Sequence, residues 1–299
     1  MKTLPQLKPG DCVEIIAPAS RCSDQRLATL KELLESWCLT CLIDESIFGD
    51  DILCAHTDEW RFHSLSKALH NPEVKAIICV RGGYGSMRLI PSLSTLPCPA
   101  EPKLFVGMSD ITAFHLYLGQ QWHWPTILGA LTSDVFSAES IAMLKAILFR
   151  ENDHVAFSGR ALNSAAASNR LINAPLTGGN LCLVQTSIGT LWQLDGRDKI
   201  IFLEEIDERG YRVDRMLEHL RQANLLKNAA AIVFGDFLGG NEANGKNLIQ
   251  PVLERFAQQC NIPVIQIEGV GHGHTNFPLM LGTTAQLQLG NRITFTSLW

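Results

Sequence analysis

The sequence predicts an α/β protein in two domains, each built from strands that alternate with helices. Strand-length apolar runs alternate with stretches whose leucines recur at helical spacing, the pattern of a mostly parallel sheet with helices on both faces. A polar interval rich in small residues, 151–175, contains Asn-Ser-Ala-Ala-Ala-Ser-Asn and reads as a surface connection between two such series. A length of 299 residues suits two domains of ordinary size better than one core. The expected division is therefore 1–150, a connection over 151–175, and 176–299.

In order, Asp11 to Ser20 is a buried-strand run closed by Pro18, and Asp24 to Trp37 carry helix-period leucines. Thr40 to Asp44 form a second short strand. A polar loop runs from Phe48 to Thr57, and a helix introduced by Thr-Asp-Glu runs from Thr57 to His70. Val74 to Val80 is a third strand and leads straight into Arg81-Gly-Gly-Tyr-Gly-Ser86. Leu104 to Val106 is a fourth, followed by Gly107 and by Ile111, Phe114 and Leu118 at helical spacing. Ile127 to Asp134 and a helix over Ala138 to Phe149 close the first domain. The second opens with Leu176-Thr-Gly-Gly-Asn-Leu181 and an apolar segment to Leu191. It continues through a strand at Lys199 to Ile206, an amphipathic helix at Val213 to Leu226, a strand at Ala229 to Gly235 and a helix at Leu248 to Gln259. A strand at Pro263 to Ile267 precedes Gly269-Val-Gly-His-Gly-His-Thr-Asn276, and β alternation resumes at Ala285 and Ile293.

Hydrophobic residues at 46% and charged residues at 18% describe a globular chain, neither disordered nor fibrous. A net charge of −5 gives no sign of a nucleic-acid partner, which normally needs a basic face. No window holds the roughly 18–20 apolar residues that cross a bilayer. Pro5 and Pro9 interrupt a start that has no leader-like apolar core, so the expected location is cytoplasmic, with no membrane partner. Nine cysteines, an odd number scattered through apolar runs, fit free thiols of a reducing compartment. Cys38 and Cys41 alone have motif spacing, and with no second pair they read as the end of a helix and the start of a strand.

Ser109 falls in the elbow between the fourth strand and its helix. Such a turn lifts a hydroxyl clear of the sheet beside the unpaired first N–H groups of a helix, which suits a nucleophile. Gly-Met-Ser-Asp-Ile lacks the second glycine of the hydrolase elbow, and Ser-Asp is also an ordinary helix cap. The Arg81–Gly85 cluster lacks the endings of phosphate and dinucleotide loops. Gly82 and Gly83 instead allow close backbone approach and an N–H aimed at a reacting carbonyl. A serine needs a base oriented by a carboxylate. His272 and His274 lie in a glycine-rich loop after a strand and could serve as base or, with a third ligand, hold zinc. Glu204 and Glu205 are neighbours that strand alternation sends to opposite faces, so at most one orients a histidine; as a pair they could also be solvated strand-end carboxylates. A non-catalytic, flavodoxin-like or nucleotide-binding module is the reading from another class.

Seven stretches resemble the motifs of the LD-carboxypeptidases, in order and near their spacing. They are Leu7-Lys-Pro-Gly-Asp with Ile15–Pro18, Arg81–Gly85, Gly107–Thr112, Gly178–Leu181 with Gly189-Thr190, Phe202–Glu205, Tyr211–Leu217 and Gly271-His272. These are serine peptidases of bacterial cell-wall recycling whose relatives include microcin-C self-immunity proteins. The resemblance implies an amino-terminal parallel-sheet domain, flavodoxin-like or glutamine-amidotransferase-like, and a smaller mixed α/β carboxyl-terminal domain. It implies Ser109 as nucleophile, His272 as base and Glu204 as its orienting carboxylate, with the N–H groups of Gly83 and Asp110 as oxyanion hole. His272 rather than His274 keeps the family's distances to Asn276 and Gly282, and Met280 stands where the family has proline. Glu205 occupies the family's aspartate place. Arg81 and Arg212 are candidates for the substrate carboxylate, since a guanidinium matches its two oxygens. The implied substrate is a muropeptide tetrapeptide losing terminal D-alanine, with no metal or other cofactor and with a homodimer as the expected assembly. The alternative within hydrolases is a self-immunity peptidase acting on aminoacyl-nucleotide analogues.

Overall fold

The computed structural model describes residues 4–132 and 135–299. Met1 to Thr3, and Ser133 and Asp134 at the end of the expected Ile127–Asp134 segment, lie outside the described residues. The chain divides into two compact units, Met1–Asn152 and Asp153–Trp299. Among the described residues no helix is long and apolar enough to cross a membrane.

The first unit runs β1 (Cys12–Ile16), α1 (Asp24–Ser36), β2 (Thr40–Ile43), α2 (Asp58–His70), β3 (Val74–Cys79), α3 (Ile90–Leu93), β4 (Leu104–Gly107), α4 (Thr112–Gln121), β5 (Thr126–Leu128) and α5 (Ala138–Leu148). Its strands lie in the order β5-β4-β3-β1-β2 and are parallel throughout. Consecutive residues of β3 and β4 are buried whatever their parity, as in strands covered on both faces. The helices start where short polar side chains can take an orphan N–H: Ser23 Oγ accepts from Arg26 N at 3.2 Å and Thr57 Oγ1 from Trp60 N at 3.4 Å. Phe105, Phe114, Trp124, Leu34 and Leu65 are fully buried in the core. Because the strands are parallel, the loops after β1, β3 and β4 share one edge of the sheet, the edge where ligands collect in such folds.

The second unit runs β6 (His154–Ala161), β7 (Leu171–Asn180), α6 (Leu181–Thr186), β8 (Ile200–Ile206), α7 (Gly210–Gln222), β9 (Ala231–Leu238), α8 (Ile249–Gln258), β10 (Val264–Ile267), β11 (Leu279–Leu281), β12 (Thr284–Gln288) and β13 (Ile293–Leu298). It closes into a barrel in the order β10-β6-β13-β12-β7-β8-β9. β7, β8, β9 and β10 are mutually parallel, whereas β6, β13 and β12 join them by antiparallel pairing. The loops that follow the four parallel strands therefore meet at one rim.

The interval 151–175 differs from its expectation as a connection. It carries all of β6 and the first half of β7, and from Asp153 onward it belongs to the second unit. β6 alternates, with Val155 and Phe157 inward and their neighbours outward. Phe157 stacks on its cross-strand partner Phe295 at 6.0 Å between ring centroids. Only the Asn-Ser-Ala-Ala-Ala-Ser-Asn stretch makes the turn between the two strands. There Asn163 Nδ2 donates to the carbonyls of Ala257, Cys260 and Ile262 at 3.0, 3.2 and 2.8 Å.

Candidate active site

In the first unit a 3-10 turn, Ser109–Ile111, stands between β4 and α4, so the α-helix proper begins at Thr112. Ser109 is held at φ 60°, the left-handed region that side chains other than glycine rarely occupy. Its hydroxyl caps neither the turn nor α4, whose leading positions are Met108 and Ile111. The helix-cap alternative for this serine is thereby removed. Gly107 is required beneath it, because a Cβ there would lie 2.5 Å from Ile111 Cγ2. His115 donates from Nε2 to the Gly107 carbonyl at 2.9 Å, and burial pushes this imidazole down to about 4, so it is a neutral fixture.

The glycine loop after β3 packs on this elbow. A Cβ on Gly82 would lie 2.8 Å from Met108 O and 2.8 Å from Ser109 Cβ. Gly83 sits at φ +103°, with Ser20 Oγ 2.5 Å from where its Cβ would be. Ser20 threads the loop further: its N–H donates to Gly82 O at 3.3 Å and its Oγ accepts from Tyr84 N at 3.0 Å. Asp110 ties loop to elbow. Its Oδ2 accepts from Ser86 N at 2.8 Å, and its carbonyl accepts from Ser86 Oγ at 2.5 Å. Burial raises the Asp110 carboxyl against the opposing pull of those bonds. Its N–H is among the first of the turn, which no intrahelical carbonyl reaches. The buried Arg61, not anticipated from sequence, donates to the carbonyls of Pro18, Gly85 and His56 and so fastens the loops after β1 and β3 to α2. Gly82→Ala is expected to lower stability by about 1–3 kcal/mol and to depress turnover of the substrate proposed below. Denaturant titration beside a rate measurement checks it, and unchanged turnover would contradict a supporting role for Gly82.

In the second unit Glu204, buried near the carboxyl end of β8, meets the loop after β10. Its Oε2 lies 2.7 Å from His272 Nδ1, with side chains 1% and 17% exposed. A carboxylate only accepts, so Nδ1 carries the proton and Nε2 keeps a lone pair. Glu204 Oε1 is buried and receives no hydrogen bond among the described residues. That leaves the imidazole as this carboxylate's stabilising partner. Burial by itself would lower the His272 pKa, but the Glu204 bond and the charges of Glu204, Glu205 and Asp207 outweigh it and raise the imidazole above its ordinary value.

The loop geometry accounts for the spacing around His272. Asn276 Oδ1 accepts from Gly271 N at 3.1 Å, and Gly282, at φ +81°, donates its N–H to Leu176 O at 2.7 Å. Gly271, at φ +147°, passes so close to Glu204 that a Cβ would stand 3.2 Å from Oε2. Asp236, at the carboxyl end of β9, clamps the same loop. Its Oδ1 accepts from Gly269 N at 3.1 Å and its N–H donates to Val270 O at 2.9 Å; burial pushes its carboxyl up to about 6. Sequence reading overlooked Asp236, although an acid closing the run Ile-Val-Phe-Gly repeats the signal that marked Glu204.

Glu205 turns the other way, as alternation requires, but it is not solvated: 4% exposed, it accepts from Asn180 Nδ2, Cys182 N and Ile206 N at 2.9, 2.8 and 2.9 Å. Burial pushes it up to about 7. His274 is exposed on the same loop as His272, and among the described residues no three His, Cys, Asp or Glu side chains are grouped to hold a metal ion. Arg81 is exposed and donates from Nη1 to Arg21 O at 3.4 Å, whereas Arg212 is engaged by Glu208 at 3.2 Å and by the Tyr211 hydroxyl at 3.1 Å. Ser109, Gly83, Asp110 and Arg81 are thus carried by the first unit, and Glu204, His272 and Arg212 by the second. Within their units the elbow meets the glycine loop, and the carboxylate meets the histidine.

One unit thus carries a strand-to-helix serine on a parallel sheet, and the other a carboxylate-bound histidine at a barrel rim. Residues 13–129 match the model of the LD-carboxypeptidase N-terminal domain and residues 173–287 that of the LD-carboxypeptidase C-terminal domain. The chain belongs to the LD-carboxypeptidase family. It is 38% identical to a putative carboxypeptidase of Rickettsia conorii over 92% of this chain and 87% of that one. The crystal structure of muramoyltetrapeptide carboxypeptidase from Oxalobacter formigenes superposes with a TM-score of 0.78 at 27% identity, covering 95% of this chain and 98% of the other. An MccF-like protein of Bacillus anthracis gives a TM-score of 0.85 over 99% of both chains, and at 22% identity that likeness concerns the fold alone.

Proposed function

We propose that this chain is a serine LD-carboxypeptidase that removes the terminal D-alanine of a muropeptide tetrapeptide, cutting the bond that joins it to an L-centre. The observation that carries the reading is the 2.7 Å bond from Glu204 to His272 Nδ1, which leaves Nε2 as a base at a barrel rim. It is supported by a serine at φ 60° in an elbow packed against glycines and by the name of the Oxalobacter formigenes relative.

Ser109 Oγ attacks the carbonyl carbon as His272 Nε2 takes its proton. Glu204 holds the tautomer and stabilises the imidazolium. The N–H groups of Gly83 and Asp110 receive the oxyanion, each such donor contributing roughly 10²–10³ in rate. The imidazolium returns its proton to the D-alanine nitrogen as the C–N bond breaks, leaving an acyl-enzyme. Water, deprotonated by His272, attacks the ester and frees Ser109. Arg81, in the same loop as Gly83, receives the substrate's terminal carboxylate through paired N–H donors. These steps use only side chains, backbone N–H groups and water.

Incubating the purified chain with a defined tetrapeptide is expected to yield the tripeptide and one equivalent of D-alanine by mass spectrometry. A tetrapeptide ending in L-alanine should persist. Release of the L-amino acid at an equal rate, or no release from either peptide, contradicts the proposal.

A further inference from the structure

The second unit contains a groove of ≈ 400 Å³ that the steps above leave unused, lined in part by Cys182, Gln185, Glu208, Tyr211, Arg212 and Arg215. Its volume is within the range of small-molecule pockets. It adjoins the segment that leaves β8, on the side to which Glu205 turns. Cys182 N donates to Glu205 Oε2 at 2.8 Å, and Glu208 follows Glu204 in the segment leaving β8.

Three guanidinium groups converge on one exposed ring here. Arg209, Arg212 and Arg215 lie 4.8, 5.9 and 5.6 Å from the Tyr211 centroid. Two are balanced: Arg209 pairs with Glu242 at 3.7 Å and Arg212 with Glu208 at 3.2 Å. Arg215 has no carboxylate at ion-pair distance among the described residues. Like charges gathered on one side chain repel unless an anion joins them. A guanidinium stacked on a ring keeps its in-plane N–H groups for a two-oxygen acceptor. In a chain of net charge −5 this local excess of cation is selective rather than general.

We propose that the groove is a second carboxylate-recognition site, in which Arg215 receives a carboxylate that the peptide substrate carries on the acyl side of the cleaved bond. The inference rests on the serine carboxypeptidase reading. Terminal D-alanine has a single carboxylate, assigned above to Arg81, so a carboxylate that reaches Arg215 belongs to the retained peptide. Tyr211 and the Glu208–Arg212 pair hold the groove's shape, and Arg215 sets its preference.

The test uses two tetrapeptides that differ only in whether the acyl-side carboxylate is free or amidated. The intact protein should favour the free acid by roughly tenfold in KM, the loss expected for one charge-assisted contact, at similar kcat. Arg215→Gln, at an exposed position, should bring the acid peptide to the amidated peptide's KM and leave kcat unchanged. Arg215→Lys should restore part of the difference. Equal KM values for both peptides in the intact protein, or a fall in kcat on both in Arg215→Gln, overturns the proposal. Calorimetric binding of both peptides to the Ser109→Ala protein separates this inference from the reading beneath it. A preference for the acid without any turnover by the intact protein keeps the groove and removes the peptidase; equal or absent binding removes the groove.

Discussion

Ser109→Ala is expected to lower the rate of the proposed D-alanine release by roughly 10⁴-fold or more, the cost of removing the nucleophile from a serine triad, while the protein remains folded. Alanine keeps the Cβ and with it the contacts to the glycine loop, so the loss falls on chemistry. Ser109→Gly is equally inactive but more stable by up to ~1 kcal/mol, because glycine takes up the left-handed backbone without strain and returns only part of that gain to the unfolded chain. Melting curves of the three proteins beside their turnover check both halves. A serine with a purely structural role would give the opposite pattern, with stability falling in both variants and turnover following it.

Glu204→Gln is expected to slow release by roughly 10²–10⁴-fold, since an amide can hold the wrong tautomer and cannot stabilise the imidazolium. Its pH dependence is equally diagnostic. The base works as neutral imidazole, so activity disappears as pH falls through the His272 pKa. Because the Glu204 bond and the neighbouring acids lift that pKa above the ordinary imidazole value, the acid limb of kcat/KM in the intact protein lies above that value too. Removing the Glu204 charge leaves burial, which lowers the pKa, with less to oppose it, and the limb moves to lower pH. A pH profile of kcat/KM for both proteins decides it; a limb that stays in place would detach Glu204 from the base.

The parts of this molecule set by local pattern could be read before any coordinates. The βα units of the first half announce themselves through apolar runs such as Val74–Val80 and caps such as Thr57. The elbow at Ser109 is marked by a short strand, a glycine and a helical period in succession. Parity alone divides Glu204 from Glu205. What escaped depends on partners distant in sequence. β6 offers only Val155 and Phe157 as large inward residues, and β7 contains Pro175 and two glycines at φ +119° and +138°. Neither stretch favours a strand by propensity; pairing with β12, β13, β10 and β8 makes them so. The burial of Glu205 arises the same way, because β8 is flanked by strands on both sides and Asn180 arrives from β7 to bond it. Asp236 acquires its place only once β9 and β10 lie side by side and bring Gly269 to its carboxylate.

The barrel mixes two kinds of strand, and the mixture separates upkeep from adaptation. The antiparallel staves β12, β13 and β6 shut the cylinder, and none of them supplies a group to the Glu204–His272 pair. The carboxyl-terminal parts of β8 and β9 and the segments that follow β8 and β10 contribute Glu204, Asp236, Glu208 and His272, residues that belong to the pair, hold its loop or line the groove. Substitutions at that rim can therefore alter the pair and the groove while the staves stay as they are, so the frame need not be rebuilt when the site is.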